Sequence, residues 1–164
     1  MNTQALSQCA LFDELTPDEL ALVVGEARQY SVPENHIFFD MGVFNESLFV
    51  VLSGSVRIER PGTETGIELW KLSIGAIFGE ISFIDNSKTI AKVSAVARTE
   101  VLELDSTDFH RILNNQPALA SKLWRNLALE FKRRLARTTD LVDHYADLSQ
   151  VLRDKLGAAS LLRA

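Results

Sequence analysis

Apolar positions recur along this chain in three successive rhythms. In the first, Leu20, Leu22, Val23 and Ala27 mark one side of a helix, their spacing being that of an amphipathic helical face. Thr16-Pro17-Asp18-Glu19 opens it as a capping box with proline at the first helical position. Residues 1–29 are therefore predicted to be an N-terminal helical segment. From 30 to 105 the rhythm shortens. Apolar runs at 36–40, 47–53, 56–59, 67–72, 89–97 and 100–104 read as strands, cut by Pro33-Glu34-Asn35, Gly42, Gly54 and a polar loop at 61–66. Asn35 suits a turn position of left-handed conformation. Many short strands so spaced predict a sandwich, jelly roll or barrel. Beyond 105 the helical rhythm returns, with Asp105 or Ser106 capping a short helix to Asn114 and Pro117 starting a long one. Leu119, Leu123, Leu127, Phe131, Leu135, Thr138, Val142, Tyr145, Leu148 and Leu152 recur at steps of three and four, a packing or coiled-coil stripe of about 35 residues. Gly157 is expected to end this helix, so that 106–157 forms the C-terminal helical part and 158–164 a tail.

The chain has 164 residues, 46% of them hydrophobic and 24% charged, enough for one domain with a real core and an added helix. A net charge of −5 argues against a general nucleic-acid or anionic-membrane binder. Cys9 is the single cysteine, which excludes a disulfide within one chain and suits a reducing compartment. No apolar run reaches the length of a membrane span, and the first residues lack the order of a signal peptide. The sequence thus predicts a cytoplasmic protein without a membrane segment.

Chemistry concentrates at 75–95. Gly75-Ala-Ile-Phe-Gly79-Glu80-Ile81-Ser-Phe-Ile is followed by Lys88-Thr89-Ile90-Ala-Lys92-Val-Ser-Ala95. Glycine lets a backbone approach a ligand closely, amides at the start of the turn after Gly79 suit an anion, and Glu80 is a strong acceptor for vicinal sugar hydroxyls. This segment resembles the phosphate-binding cassette of the cyclic-nucleotide-binding domain family, which includes the catabolite activator proteins and the regulatory subunit of protein kinase A. Leu11-Phe12, Leu52-Ser-Gly-Ser-Val56 and Val101-Leu-Glu-Leu-Asp105 leading to Phe109 carry the same likeness. It covers residues 11–141 and implies a double-stranded β-helix jelly roll, or β-roll, mainly β with flanking helices, closed by the long C-terminal helix. It also implies a ligand, cyclic AMP or cyclic GMP. The family's transcription-factor members carry a helix-turn-helix domain after the long helix; here the residues after Tyr145 are expected to hold only the rest of that helix.

The resemblance makes Gly79, Glu80, Ile81, Lys88, Thr89, Ile90 and Arg134 the candidate ligand-binding set. Its main departure is Thr89, where the family has an arginine that neutralises the cyclic phosphate. Arginine offers charge and a bidentate fork, whereas threonine offers one neutral donor. Losing a desolvated charge-assisted contact typically costs about 2–5 kcal/mol. Lys88 lies one position earlier and could supply a point charge; Lys92 would face the other side of a strand from Thr89. Arg134, in the basic cluster Lys132-Arg133-Arg134 with Arg137, matches the depth at which the family's long helix touches the purine; a solvated face or an ion pair is the alternative. His36, His110 and His144 have no metal-ligand spacing, and no nucleophile–base arrangement is suggested, so neither a metal site nor an enzyme is expected. Two functions stay open: a regulatory sensor of a cyclic nucleotide or related phosphorylated small molecule, signalling through a homodimer to a protein partner, or a degenerate module that serves only as a dimerising scaffold.

Overall fold

A computed structural model describes residues 3–60 and 67–161, with the backbone alone at 3, 67–68, 140–146, 148 and 151–161. The loop expected at 61–66 and the tail residues 162–164 lie outside the described residues. The chain divides into two compact units, Met1–Asn126 and Leu127–Ala164.

The first unit opens with α1 (Thr3–Ser7), a single turn of 3-10 helix at Ala10–Phe12, and α2 (Pro17–Glu26). The capping box forms as expected: Glu19 N donates to Thr16 Oγ1 at 3.3 Å, and Thr16 N donates to Glu19 Oε2 at 2.7 Å. Eight strands follow: β1 (Arg28–Val32), β2 (Ile37–Phe39), β3 (Ser47–Ser53), β4 (Ser55–Arg60), β5 (Ile67–Ser73), β6 (Ile77–Phe78), β7 (Lys92–Ala95) and β8 (Thr99–Asp105). The helix α3 (Glu80–Asp85) interrupts them between β6 and β7. They form two four-stranded sheets, ordered β1-β8-β3-β6 and β2-β7-β4-β5. Every strand pairing is antiparallel. This is the expected β-roll with flanking helices.

Between the sheets Phe49, Val51, Val56, Phe78, Val93 and Val101 form the core. Phe49 and Phe78 stack with ring centroids 4.7 Å apart, and Phe38 meets Phe78 at 4.9 Å. Burying such rings together with the valines around them drives the closing of the roll. The central strand β3 is buried on both faces, from Leu48 to Leu52, since α1 and α3 cover its outer side. That explains its unbroken apolar run, in contrast to the alternation of a half-exposed strand. Asp105 caps α4 (Ser106–Asn115), accepting from Thr107 N at 2.8 Å, and α5 (Pro117–Leu161) follows.

The structure moves several boundaries. The predicted helical segment to residue 29 ends at Glu26, and Arg28 already begins β1, paired with Glu103 of β8. The strand expected at 89–97 is regular only over Lys92–Ala95, because Thr89 pairs with a loop instead of a strand. Gly157 does not end α5, which runs on to Leu161; one glycine costs about 1 kcal/mol in a helix, too little to stop a long one. The predicted C-terminal helical part is also divided, since α4 and the first residues of α5 belong to the same compact unit as the roll.

Candidate functional site

Gly79 sets the geometry of the cassette. It is the N-cap of α3 with φ of 83°, a left-handed conformation natural to glycine. A Cβ at this position would stand 2.6 Å from the Ser47 carbonyl oxygen, so any side chain would push α3 away from β3. The turn in turn presents Glu80, only 3% exposed, as the first residue of α3. Ile81 is exposed on the same helix, whereas Ser82 and Phe83 are buried. Asn86, φ 52°, ends α3 in a second left-handed position. Asp85 Oδ1 accepts from Ser87 N at 3.0 Å, and hydrogen bonds from Ser87 hold the Asp85 carboxyl below its ordinary value.

The return half of the cassette is tied to a segment that sequence reasoning did not single out. Thr89 is 6% exposed. Its hydroxyl donates to Asp40 O at 2.6 Å and accepts from Val43 N at 3.1 Å. Its amide donates to Val43 O at 2.8 Å, and its carbonyl accepts from Gly42 N at 2.8 Å. One residue further on, Phe44 forms an isolated antiparallel bridge with Lys88, whose Nζ lies 5.7 Å from the centre of the Phe44 ring. Asn45 then reaches the other half of the cassette: Nδ2 donates to Ser47 O at 2.7 Å, to Ser82 Oγ at 3.2 Å and to Gly79 O at 3.3 Å. Residues 40–45 therefore brace both arms of the cassette. Their only signal in the sequence is a turn composition, Asp40, Gly42 and Asn45, that any surface loop could share.

The structure thus brings Gly79, Glu80 and Ile81 onto one turn and Lys88, Thr89 and Ile90 onto the loop facing residues 40–44. Ile90 is exposed. Lys92 stands in register with Glu59 across the β4–β7 pair. Arg134 belongs to the second unit, where its Nε donates to Glu130 Oε1 at 3.2 Å and Arg133 approaches the same carboxylate at 3.5 Å. Glu130 is thus an intrahelical partner of this basic cluster. Among the described residues no group of three or more His, Cys, Asp or Glu side chains could hold a metal ion, and no helix is long and apolar enough to cross a membrane.

Comparison with known proteins agrees with this architecture. The family model of the cyclic nucleotide-binding domain matches residues 29–116. The chain is 34% identical over 134 residues to the cyclic AMP receptor protein of Thermus thermophilus, covering 80% of this chain and 59% of that protein. It is 31% identical over 129 residues to a cyclic nucleotide-gated potassium channel of Mesorhizobium japonicum, covering 79% of this chain and 34% of that one. Among solved structures, the Thermus thermophilus catabolite activator protein superposes with a TM-score of 0.72 at 29% identity, covering 84% of this chain and 63% of the other. A cyclic nucleotide-binding domain from Methylobacillus flagellatus shares the fold with a TM-score of 0.76 at 22% identity, over 84% of this chain and 78% of that one. The chain spans from a third to about three-fifths of the length of these curated relatives. With the matched region running from β1 through α4, this chain belongs to the cyclic nucleotide-binding domain family.

Proposed function

We propose that this protein is a non-catalytic regulatory module that binds a cyclic nucleotide, or a related phosphorylated small molecule, in the 75–95 cassette and signals through α5 and a homodimer to a protein partner. The observation that carries this reading is Glu80, a buried carboxylate placed at the start of α3 by a glycine that admits no side chain. That combination suits hydrogen bonding to paired ribose hydroxyls. Gly79, Glu80 and Ile81 would form the sugar side of the site, and Lys88, Thr89 and Ile90 the phosphate side, with Arg134 as the residue for the base. Output would be a population shift in the long helix.

A thermal-shift titration with cyclic AMP and cyclic GMP tests this. Ligand at 100-fold over Kd adds about 2.7 kcal/mol to stability, which a melting scan resolves. Glu80→Gln is expected to abolish the ligand-induced shift while the free protein melts close to wild type. No shift in the wild type at millimolar nucleotide overturns the sensor reading.

One observation favours the second reading, a scaffold that has lost its ligand. Thr89 commits its hydroxyl proton to Asp40 O, leaving residue 89 neither a charge nor a spare hydroxyl donor for a phosphate. Thr89→Arg separates the two readings. A sensor site is expected to gain at least tenfold in affinity for cyclic AMP, whereas a folded variant that still fails to bind supports the scaffold.

A further inference from the structure

An anion bound between the two arms of the cassette is held most strongly by a cation, and the structure limits where one can come from. At residue 89 the hydroxyl proton goes to Asp40 O and the amide proton to Val43 O. Lys92 stands in register with Glu59. Arg57, on the same sheet, already approaches Glu59 at 3.4 Å and donates to Ser94 Oγ at 3.3 Å and Asn35 Oδ1 at 3.4 Å. Lys88 is different. The bridge to Phe44 fixes its backbone immediately before Thr89, and the described residues give it no carboxylate partner. Its ammonium rests over the Phe44 ring at 5.7 Å, near the outer limit of a cation–π contact, and that ring is itself 69% exposed.

From this, and resting on the sensor reading above, the geometry points to Lys88 as the residue that meets the ligand's phosphodiester anion, parked on Phe44 in the free protein and transferred to the anion when ligand binds. An exposed cation–π contact is weak, and a charge-assisted hydrogen bond to a phosphate oxygen is stronger. The exchange is therefore favourable. A lysine ammonium is a compact point charge with three rotatable donors. It needs none of the fork geometry that an arginine at residue 89 would impose. The loop would thus recognise charge more than phosphate orientation, and its affinity would fall with salt.

Calorimetric titration with cyclic AMP, and with adenosine as a probe lacking the phosphate, tests the assignment. Lys88→Gln is expected to weaken cyclic AMP at least tenfold and to leave adenosine unchanged; Lys88→Arg is expected to restore most of the loss. Phe44→Leu, which removes the parking ring, is expected to keep or improve affinity. A carbon–proton correlation spectrum supplies a readout independent of affinity: the Lys88 ε-methylene should show an upfield ring-current shift in the free protein, absent in Phe44→Leu and relieved by saturating cyclic AMP. If the wild type binds cyclic AMP and Lys88→Gln binds it equally well, the Lys88 assignment is overturned and the sensor reading stands. If the wild type binds no cyclic nucleotide at millimolar concentration, both are overturned.

Discussion

A hydroxyl has one proton to donate, and Thr89 gives it to Asp40 O across 49 residues of sequence. The motif located residue 89, and its local pattern identified the absence of a guanidinium. The use to which threonine is put was not legible, because Asp40 and Val43 lie in a turn whose composition carries no partner information. Glu80 and Gly79 were more readable: a left-handed glycine before a carboxylate has a local cause, and only the depth of its burial had to come from the fold. The inner face of the first sheet, in line with Phe49 and Val101, carries a cluster that no pattern announced. Glu103 accepts from Arg28 at 2.5 Å and from Ser47 Oγ at 2.8 Å. Burial alone would raise the Glu103 carboxyl, but the hydrogen bonds from Arg28, Ser47 and Tyr30 outweigh it and hold the group below its ordinary value. Tyr30 in turn is pushed up to about 12, first by burial and then by the charge of Glu103. A carboxyl depressed in the folded state stabilises the fold above its unfolded value, about 4.3, and that contribution is lost as pH falls through the folded value. Glu103→Gln should therefore flatten the acid limb of the stability–pH curve, measured by denaturant unfolding between about pH 5 and pH 3. An acid limb identical to wild type would show that Glu103 titrates alike in both states. Arg28 is largely exposed, so salt should narrow the difference without removing it.

At the scale of elements, the most buried pieces were the most legible. The run at 47–53 was read with the bounds of β3 because an apolar stretch between turn residues has few alternatives, and the capping box fixed the start of α2 for the same local reason. The elements that escaped were β1, whose Arg28-Gln29-Tyr30 carries little apolar pattern, and the two-residue β6, while α1 fell inside the predicted helical segment without being separated from α2. Each exists through its partners. The join between the N-terminal segment and α5 was equally hidden. Asn126, 1% exposed, donates through Nδ2 to Leu11 O at 2.9 Å and to Asp13 O at 2.7 Å. Lys122 holds both oxygens of Glu19 at 2.9 and 2.7 Å, and Arg125 meets Glu14 at 3.1 Å. The Arg125–Glu14 pair is exposed and the Lys122–Glu19 pair half-buried, and such pairs contribute little beside the buried amide. Removing it strands two carbonyls, which costs about 1–3 kcal/mol for a group left fully unsatisfied. Asn126→Ala is expected to lower the melting temperature by roughly 5–10 °C for a chain of this size, and Asn126→Asp to be worse at neutral pH, since a carboxylate cannot donate to either carbonyl. Lys122→Ala should stay within a degree or two of wild type, about the effect of a surface pair. Equal losses for Asn126→Ala and Lys122→Ala would refute this ranking.

At the scale of the whole molecule, the long helix asks for a partner. A helix of 45 residues is about 68 Å long at 1.5 Å per residue, whereas a domain of about 100 residues has a radius of gyration near 13 Å. A roll of this size has too little surface to cover an apolar stripe along the whole of α5. Within the second unit Phe131 is half-buried, and Leu135, one turn on, is 69% exposed; the side chains of Val142, Tyr145 and Leu152 lie outside the described residues. A stripe at steps of three and four that includes an exposed leucine is the pattern that a second helix buries. A two-fold pair of identical chains is the simplest closed arrangement that does so. Glu130 paired with Arg133 and Arg134 beside the stripe would supply the charged flank such a seam requires. The wild type is therefore expected to sediment as a homodimer at micromolar concentration, and the double variant Phe131→Gln with Leu135→Gln to sediment as a monomer whose roll still melts cooperatively. Because the substitutions sit beyond Asn126, a loss of the roll's own transition would mean that they act on folding, and the melt distinguishes that case from lost assembly. A wild-type monomer would overturn the dimer and leave the exposed leucine to a different protein. A dimer that survives both substitutions would move the interface off this part of the helix.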